Sequence, residues 1–174
     1  MEKYAKLLLM LMAACGIFQL VGCEKQDEIK VLVDTDPTPV YFVVKDAEGN
    51  NLLDANYEGN ILDRDIKITV NNSETHSVTI TEIVPNGDNP GLYLGSVKVD
   101  DIAMPSLEYW FIHHTDVDKR QHFRLDWGDG TSDIVEVSYY FTTHNQGNDI
   151  ISHKKVWVNG ELNAEGSFVA TIIK

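Results

Sequence analysis

Positively charged residues are scarce in this chain of 174 residues, in which 14 Lys and Arg stand against 27 Asp and Glu. The formal net charge is −13. So few scattered cations cannot form the basic patch that a nucleic acid or another generic polyanion requires. The composition therefore excludes a nucleic-acid partner.

Cysteine is almost absent as well. The chain has two cysteines, Cys15 within an apolar N-terminal segment and Cys23 directly after it. The rest of the sequence has no thiol, so disulfides, cysteine catalysis and thiolate metal sites are excluded from residues 24–174.

The longest apolar stretch, Leu7 to Leu20, is too short to predict a stable transmembrane helix. Fourteen residues rise by about 21 Å as a helix, whereas the hydrocarbon core of a bilayer measures roughly 30 Å. Lys3 and Lys6 precede the stretch. This order of a basic start and a short apolar segment predicts a secretory signal peptide over residues 1–22.

The tetrapeptide Leu20-Val21-Gly22-Cys23 ends this segment and resembles the lipobox of bacterial lipoproteins. The resemblance implies cleavage before Cys23 and attachment of lipid to its thiol. Since each buried CH₂ contributes about 0.8 kcal/mol, several acyl chains anchor a protein stably where one is marginal. We therefore expect a membrane-anchored protein with Cys23 as its lipid attachment site.

Residues 23–39 are predicted to be a lipidated acidic tether. Glu24, Asp27 and Glu28 follow the cysteine, and Pro37 and Pro39 close a polar, extended spacer. The acidic tract resembles the export signals of Bacteroidota surface lipoproteins. This resemblance implies an outer-membrane protein that faces the cell exterior, with a periplasm-facing protein as the alternative.

No window after the tether predicts an amphipathic helix, whereas alternation with a period of two recurs from residue 40 to residue 174. Phe123, Leu125 and Trp127 share one face of a predicted strand, and the Gly-rich turn that follows predicts a hairpin. We expect one all-β domain, an antiparallel Ig-like or transthyretin-like β-sandwich of about eight strands. The predicted strands cover residues 40–45, 66–70, 75–84, 92–99, 107–114, 122–127, 135–142, 154–158 and 168–173.

The segment Asp126–Thr131, with the sequence DWGDGT, resembles the turn of PKD domains, in which phenylalanine stands where this chain has Trp127. PKD domains are Ig-like sandwiches of microbial cell surfaces, so the resemblance implies the same fold class. Residues 40–174 as a whole are similar to small, uncharacterised sandwich lipoproteins of Bacteroidota. That similarity implies neither an activity nor functional residues.

Two groups of residues carry metal-ligand chemistry. The segment His113–Asp118 holds two imidazoles and two carboxylates, which suit Zn²⁺ or Mn²⁺, and His122 follows it. However, adjacent histidines on a strand point to opposite faces. Asp126, Asp129 and Asp133 offer oxygens that suit Ca²⁺, although aspartates in Gly-rich turns usually bond their own backbone. We expect solvated loops and no metal or cofactor at either place.

Outward aromatic residues are the feature that a glycan or peptide binder needs. Tyr140, Trp157 and, less clearly, Tyr41 lie opposite the apolar faces of their strands. Cross-strand pairing on a solvated sheet explains such rings equally well. Gly95 is expected at a bulge or a close-packing point, and Asp100-Asp101 at a solvated loop.

No catalytic motif is present: the sequence has no Gly-x-Ser-x-Gly elbow, no His-Glu-x-x-His, no phosphate loop and no dinucleotide fingerprint. We therefore expect a non-catalytic surface interaction or accessory module with a monomeric domain. One alternative is a glycan- or peptide-binding lipoprotein of an import system. A second is a hydrolase that uses a pair of carboxylates separated by about 5–9 Å.

Replacing Cys23 with alanine removes the thiol to which the lipid would be attached. We expect Cys23→Ala to remain unprocessed or to become soluble, as judged by membrane fractionation and the size of the chain. A Cys15→Ala chain is the matched control and should mature normally. A Cys23→Ala chain that still matures and partitions with membranes would contradict the lipobox interpretation.

Overall fold

A computed structural model of the chain describes residues 29–31, 38–71, 74–79, 91–110, 119–144 and 149–174. Every regular element in these ranges is a strand. The described ranges contain no helix that is long and apolar enough to cross a bilayer. The strands are β1 Ile29–Val31, β2 Val40–Lys45, β3 Lys67–Val70, β4 Glu74–Thr79, β5 Leu92–Val99, β6 Ile102–Tyr109, β7 Gln121–Asp126, β8 Ser132–His144, β9 Asp149–Val158, β10 Glu161–Glu165 and β11 Val169–Ile173.

The strands form two sheets that pack face to face. The first sheet has the order β10-β9-β8-β7-β3 and the second has the order β5-β6-β2-β11. Strand β4 joins them, because residues 74–77 pair with β3 whereas Val78 and Thr79 pair with β5. The predicted all-β sandwich is confirmed. Most pairings are antiparallel, but β11 on β2 and β4 on β5 are parallel.

Strand β1 lies inside the segment predicted as a tether. Its residues 29–31 pair antiparallel with residues 141–143 of β8. The remainder of the predicted signal peptide and tether up to residue 37, including Cys23, lies outside the described residues.

The core consists of the inward faces of the two sheets, and aromatic rings join them. Phe123 of the first sheet packs edge-on against Phe42 and Tyr109 of the second, with ring centroids 6.2 and 5.6 Å apart. Tyr139 meets Phe168 in the same way at 5.0 Å. Edge-to-face pairs of this kind contribute about 0.5–1.5 kcal/mol beyond the area they bury. The predicted inward face of Phe123, Leu125 and Trp127 is confirmed, since all three are 0 % exposed.

The segment 46–66 between β2 and β3 has no strand but still contributes to the core, through Leu53 and Ile61. The Tyr57 hydroxyl donates a hydrogen bond of 2.6 Å to Asp46 Oδ2, and Asn50 donates to both carboxylate oxygens. These bonds, that of Tyr57 first, lower the pKa of Asp46 to about 2. Because the pKa of Asp46 is lower in the folded protein, the hydrogen bonds to its carboxylate stabilise the fold at pH values above the usual pKa of an aspartate. This stabilisation is lost as the pH falls through about 2.

Two tight hairpins have two-residue turns with positive φ at both positions. The predicted turn at Asn159-Gly160 joins β9 and β10, with φ of 52° and 86°. The second turn, Asp100-Asp101, has φ of 49° and 63° and joins β5 to β6, with Val99 opposite Ile102. Here the structure differs from the prediction, because β6 begins at Ile102 rather than at residue 107 and the two aspartates form the turn itself. Aspartate tolerates this conformation better than most residues, since its short side chain bonds locally.

The outer face of β8 carries polar side chains that are buried. Ser138 and Thr142 point away from the core, yet they are only 2 % and 1 % exposed. The larger side chains of β9 lie opposite them, with Lys155 opposite Ser138, and His153 Nε2 is 2.8 Å from Thr142 Oγ1. Small polar residues between large neighbours are thus buried on an outer face.

Replacing Asp101 with glycine should stabilise the β5–β6 hairpin. Asp-Gly is the preferred pair for a two-residue turn with positive φ, and glycine relieves the cost of the left-handed conformation. We expect the free energy of unfolding of the full chain to rise by about 0.5–1 kcal/mol, measured by urea denaturation.

Asp63→Gly is the matched control. Asp63 is an exposed loop aspartate without a positive φ, so glycine there should be neutral or destabilising. A lower unfolding free energy in Asp101→Gly than in the wild type would contradict the turn assignment.

Candidate functional site

The turn after β7 is a compact, hydrogen-bonded unit at one end of the first sheet. Trp127 donates its backbone N–H to the carbonyl of Thr131 at 3.1 Å. Gly128 has a φ of +73°, and a Cβ there would approach the backbone nitrogen of Asp65 to 2.9 Å. Only glycine fits this backbone and this space, because larger residues are strained at such a φ.

Asp133 is the centre of the unit. One carboxylate oxygen accepts the indole N–H of the buried Trp127 at 2.7 Å, and the other accepts the side-chain amide of Asn159 at 2.8 Å. The Lys174 ammonium lies 3.6 Å from the same carboxylate and 5.1 Å from the centre of the Trp127 ring. Asp133 therefore connects the turn, the β9–β10 hairpin and the end of β11.

The two carboxylates of the DWGDGT turn itself, Asp126 and Asp129, also have protein partners. Asp129 accepts the hydroxyl and the backbone N–H of Thr131, at 2.6 and 2.9 Å, and forms an ion pair with Arg64 at 2.6 Å. The Thr131 bonds, that of the hydroxyl first, lower the pKa of Asp129. Asp126 lies 3.7 Å from the guanidinium of Arg124. Asp129 thus acts as an acceptor within the scaffold, and Asp126 forms an ion pair with a neighbouring side chain.

No group of three or more His, Asp or Glu side chains with the geometry to hold a metal ion is found among the described residues. The segment His113–Asp118 lies outside them. His122, which the sequence placed beside it, is half-buried on β7 directly opposite Glu136.

The predicted aromatic residues of the first sheet are engaged with their neighbours. The Tyr140 ring stacks on His153, with centroids 4.6 Å apart and planes inclined by 5°. The Arg120 guanidinium lies 3.7 Å from the centre of the Trp157 ring and forms an ion pair of 3.0 Å with Glu136. One face of each ring is therefore covered, as expected for cross-strand pairs on a sheet.

The second sheet carries a different cluster on its outer face, the aromatic platform, which consists of Tyr41, Tyr93, Glu108 and Trp110. Glu108 of β6 lies directly opposite Tyr41 of β2 on one side and Tyr93 of β5 on the other. Residues paired in this way share a face of the sheet. That face points away from the core, because Leu107 and Tyr109 on either side of Glu108 are 0 % exposed and point inward. All four platform residues are half-buried.

The Glu108 carboxylate is held in place by two neutral donors. Oε1 accepts the backbone N–H of Ser96 and Oε2 accepts the indole N–H of Trp110, each at 3.1 Å. Partial burial and, second, the charge of Glu108 raise the pKa of the Tyr41 hydroxyl. The platform therefore presents a negative charge between uncharged rings.

Sequence reasoning identified only Tyr41 in this cluster. Tyr93, Glu108 and Trp110 were missed because the sequence alone does not give the register of β2, β6 and β5, which brings them beside Tyr41. Besides Tyr41, the residue in this region that the sequence pattern singled out was Gly95. It lies at a close-packing point rather than a bulge, since the β5–β6 register is continuous there and the Glu108 side chain occupies the space of its missing Cβ.

A groove of about 410 Å³ lies where the β9–β10 hairpin meets β11. Asn163 bridges its two sides, because its side-chain amide donates to the carbonyl of Thr171 at 2.9 Å and accepts the Thr171 N–H at 2.8 Å. This bridge satisfies backbone groups of an edge strand, which otherwise tend to pair with other chains. We assign it a structural role.

Comparisons with known proteins yield no match: no protein-family model, no curated protein and no solved structure matches the chain.

Removing the carboxylate of Asp133 should destabilise the fold, because the buried indole N–H of Trp127 and the amide of Asn159 lose their acceptor. We expect Asp133→Ala to lower the free energy of unfolding by about 1.5–3 kcal/mol. The measurement is urea denaturation, with the more exposed Asp129→Ala as a control that should lose less.

The same experiment tests for a metal. Each variant is melted with EDTA and with added Ca²⁺, because a bound ion raises stability by RT ln(1 + [L]/Kd). A Ca²⁺-dependent rise in the wild type that Asp133→Ala loses would replace the scaffold role of this carboxylate with a metal site.

Proposed function

We propose that the chain is a lipid-anchored protein of the outer membrane, and that its sandwich is a non-catalytic interaction module exposed at the cell surface. The anchor is proposed from the lipobox Leu20–Cys23, and the surface location from the acidic tract that follows Cys23. The acidic composition supports a protein or carbohydrate partner rather than a nucleic acid. We further propose that the domain acts as a monomer.

The aromatic platform is the observation that supports an interaction role best. Interaction surfaces are enriched in Tyr and Trp, because these rings offer large contact areas at a small cost in conformational entropy. On the platform, Tyr41, Tyr93 and Trp110 surround one carboxylate on an outer sheet face. The carboxylates of the DWGDGT turn, in contrast, bind groups of the scaffold.

The surroundings of Glu108 favour binding over hydrolysis. Glycoside hydrolysis by paired carboxylates needs a second carboxyl group about 5–9 Å from the first. The direct cross-strand neighbours of Glu108 are tyrosines, and Ser106 precedes it on the same face of β6. The two tyrosines supply contact area and hydroxyl groups, which suits a binding role.

The surface location is tested through the acidic tract. Replacing Glu24, Asp27 and Glu28 together with alanine should leave the protein lipidated but protected from protease added to intact cells, because the export signal is lost. The measurement is the fraction of the chain that is digested on intact cells.

The matched control removes three exposed carboxylates of the sandwich, Glu58, Asp63 and Glu161, and should remain protease-sensitive. Equal digestion of the tract variant and the wild type would refute the surface signal.

A further inference from the structure

We propose that the aromatic platform binds a neutral glycan. The rings of Tyr93 and Tyr41 stack on the faces of two sugar residues, and the Glu108 carboxylate accepts hydrogen bonds from sugar hydroxyls. This inference rests on the proposed interaction function and names its ligand class and its site.

Two glycines make the platform flat. Gly91, directly before β5, and Gly95 within it lie two residues to either side of Tyr93 and share its outward face. The Tyr93 ring lies close over Gly91, where a Cβ would approach its hydroxyl to 3.0 Å, and the Glu108 carboxylate lies over Gly95. The ring and the carboxylate thus lie along the sheet instead of standing up from it. A flat surface of this kind matches the broad face of a sugar ring, whereas an ammonium group is bound by rings that enclose it.

The spacing of the rings suits a chain of sugars. Tyr41 and Tyr93 lie on either side of β6 at the same register, with Glu108 between them. Two strand spacings separate their backbones by about 9–10 Å. A linear oligosaccharide laid across the three strands can therefore contact both rings and pass over the carboxylate.

The charge of the platform restricts the glycan to a neutral one. The Glu108 carboxylate receives its two hydrogen bonds from the uncharged groups of Ser96 and Trp110, so its negative charge is not balanced by them. Ionised carboxylates form the stronger type of hydrogen bond with hydroxyl donors. A chain of net charge −13 repels uronic acids and sulfated sugars.

The outer face of the first sheet has aromatic residues of the same type but not this arrangement. Its Trp157 ring is covered by Arg120, and its Tyr140 ring stacks on His153. Both rings lie on the first sheet, away from Glu108 on β6 of the second. Tyr140 therefore offers a matched control for Tyr93, since both are tyrosines on outer sheet faces.

The test uses the full chain, purified in a detergent without a sugar headgroup. The probes are three soluble neutral polysaccharides, laminarin, mannan and dextran, with heparin as the anionic probe and polylysine as the cationic one. Binding is measured by affinity electrophoresis and by isothermal titration, and the fold of each variant is checked by its thermal melt.

We expect at least one neutral polysaccharide to bind and heparin not to bind. Tyr93→Ala and Glu108→Gln should each weaken binding by about tenfold or more, the effect of losing one ring contact or one charged acceptor. Tyr93→Phe keeps the ring and should bind as the wild type does. Tyr140→Ala should also bind as the wild type does.

Three results would overturn the inference. In the first, the Tyr93→Ala variant folds and binds as strongly as the wild type. In the second, polylysine binds and no neutral polysaccharide does. In the third, none of the three polysaccharides binds. In each case the proposed surface module is tested separately, by the lipidation of Cys23 and by the protease sensitivity of the protein on intact cells.

Discussion

The contact of Phe123 with Phe42 and Tyr109 is the interaction on which the rest of the structure depends. It joins β7 of the first sheet to two strands of the second, and it fixes which face of β2, β6 and β7 points inward. Because side chains alternate along a strand, this choice also fixes which side chains point outward. The position of Glu108 between Tyr41 and Tyr93 is therefore a consequence of how Leu107 and Tyr109 pack in the core.

The alternation of apolar and polar residues along the sequence was enough to predict the strands that have one face in the core and one in solvent. Phe123, Leu125 and Trp127 were correctly predicted to lie in the core. The sandwich class and the turn at Asn159-Gly160 were also predicted correctly. The Asp100-Asp101 turn was missed, because two aspartates carry no strong turn signal and their conformation is imposed by the pairing of β5 with β6. Local propensity decides such a turn less than the strands that flank it.

The candidate site could not be predicted to the same extent, for a physical reason. A site made by neighbouring strands depends on their register, and a shift of one residue moves a side chain to the other face. Tyr41 and Tyr93 are 52 positions apart in the sequence and become neighbours of one residue only through β6. Asp129 and Asp133 are the opposite case. They are close in sequence and carry ligand chemistry that suits Ca²⁺, yet the oxygens of Asp129 bind Thr131 and Arg64, and those of Asp133 bind Trp127 and Asn159.

The position of Tyr41 near the start of β2 has a mechanical consequence. If lipid at Cys23 holds the protein to a membrane and the platform holds a ligand, a pulling force between them acts first on β1 and then on Val40, next to the ring that contacts the ligand. Strand β2 lies between β6 and β11, so tension along it shears two rows of hydrogen bonds at once. The short strand β1 would detach from β8 first, and the tether would become longer. The two rows of hydrogen bonds that hold β2 would then resist the tension in shear while the ligand is pulled.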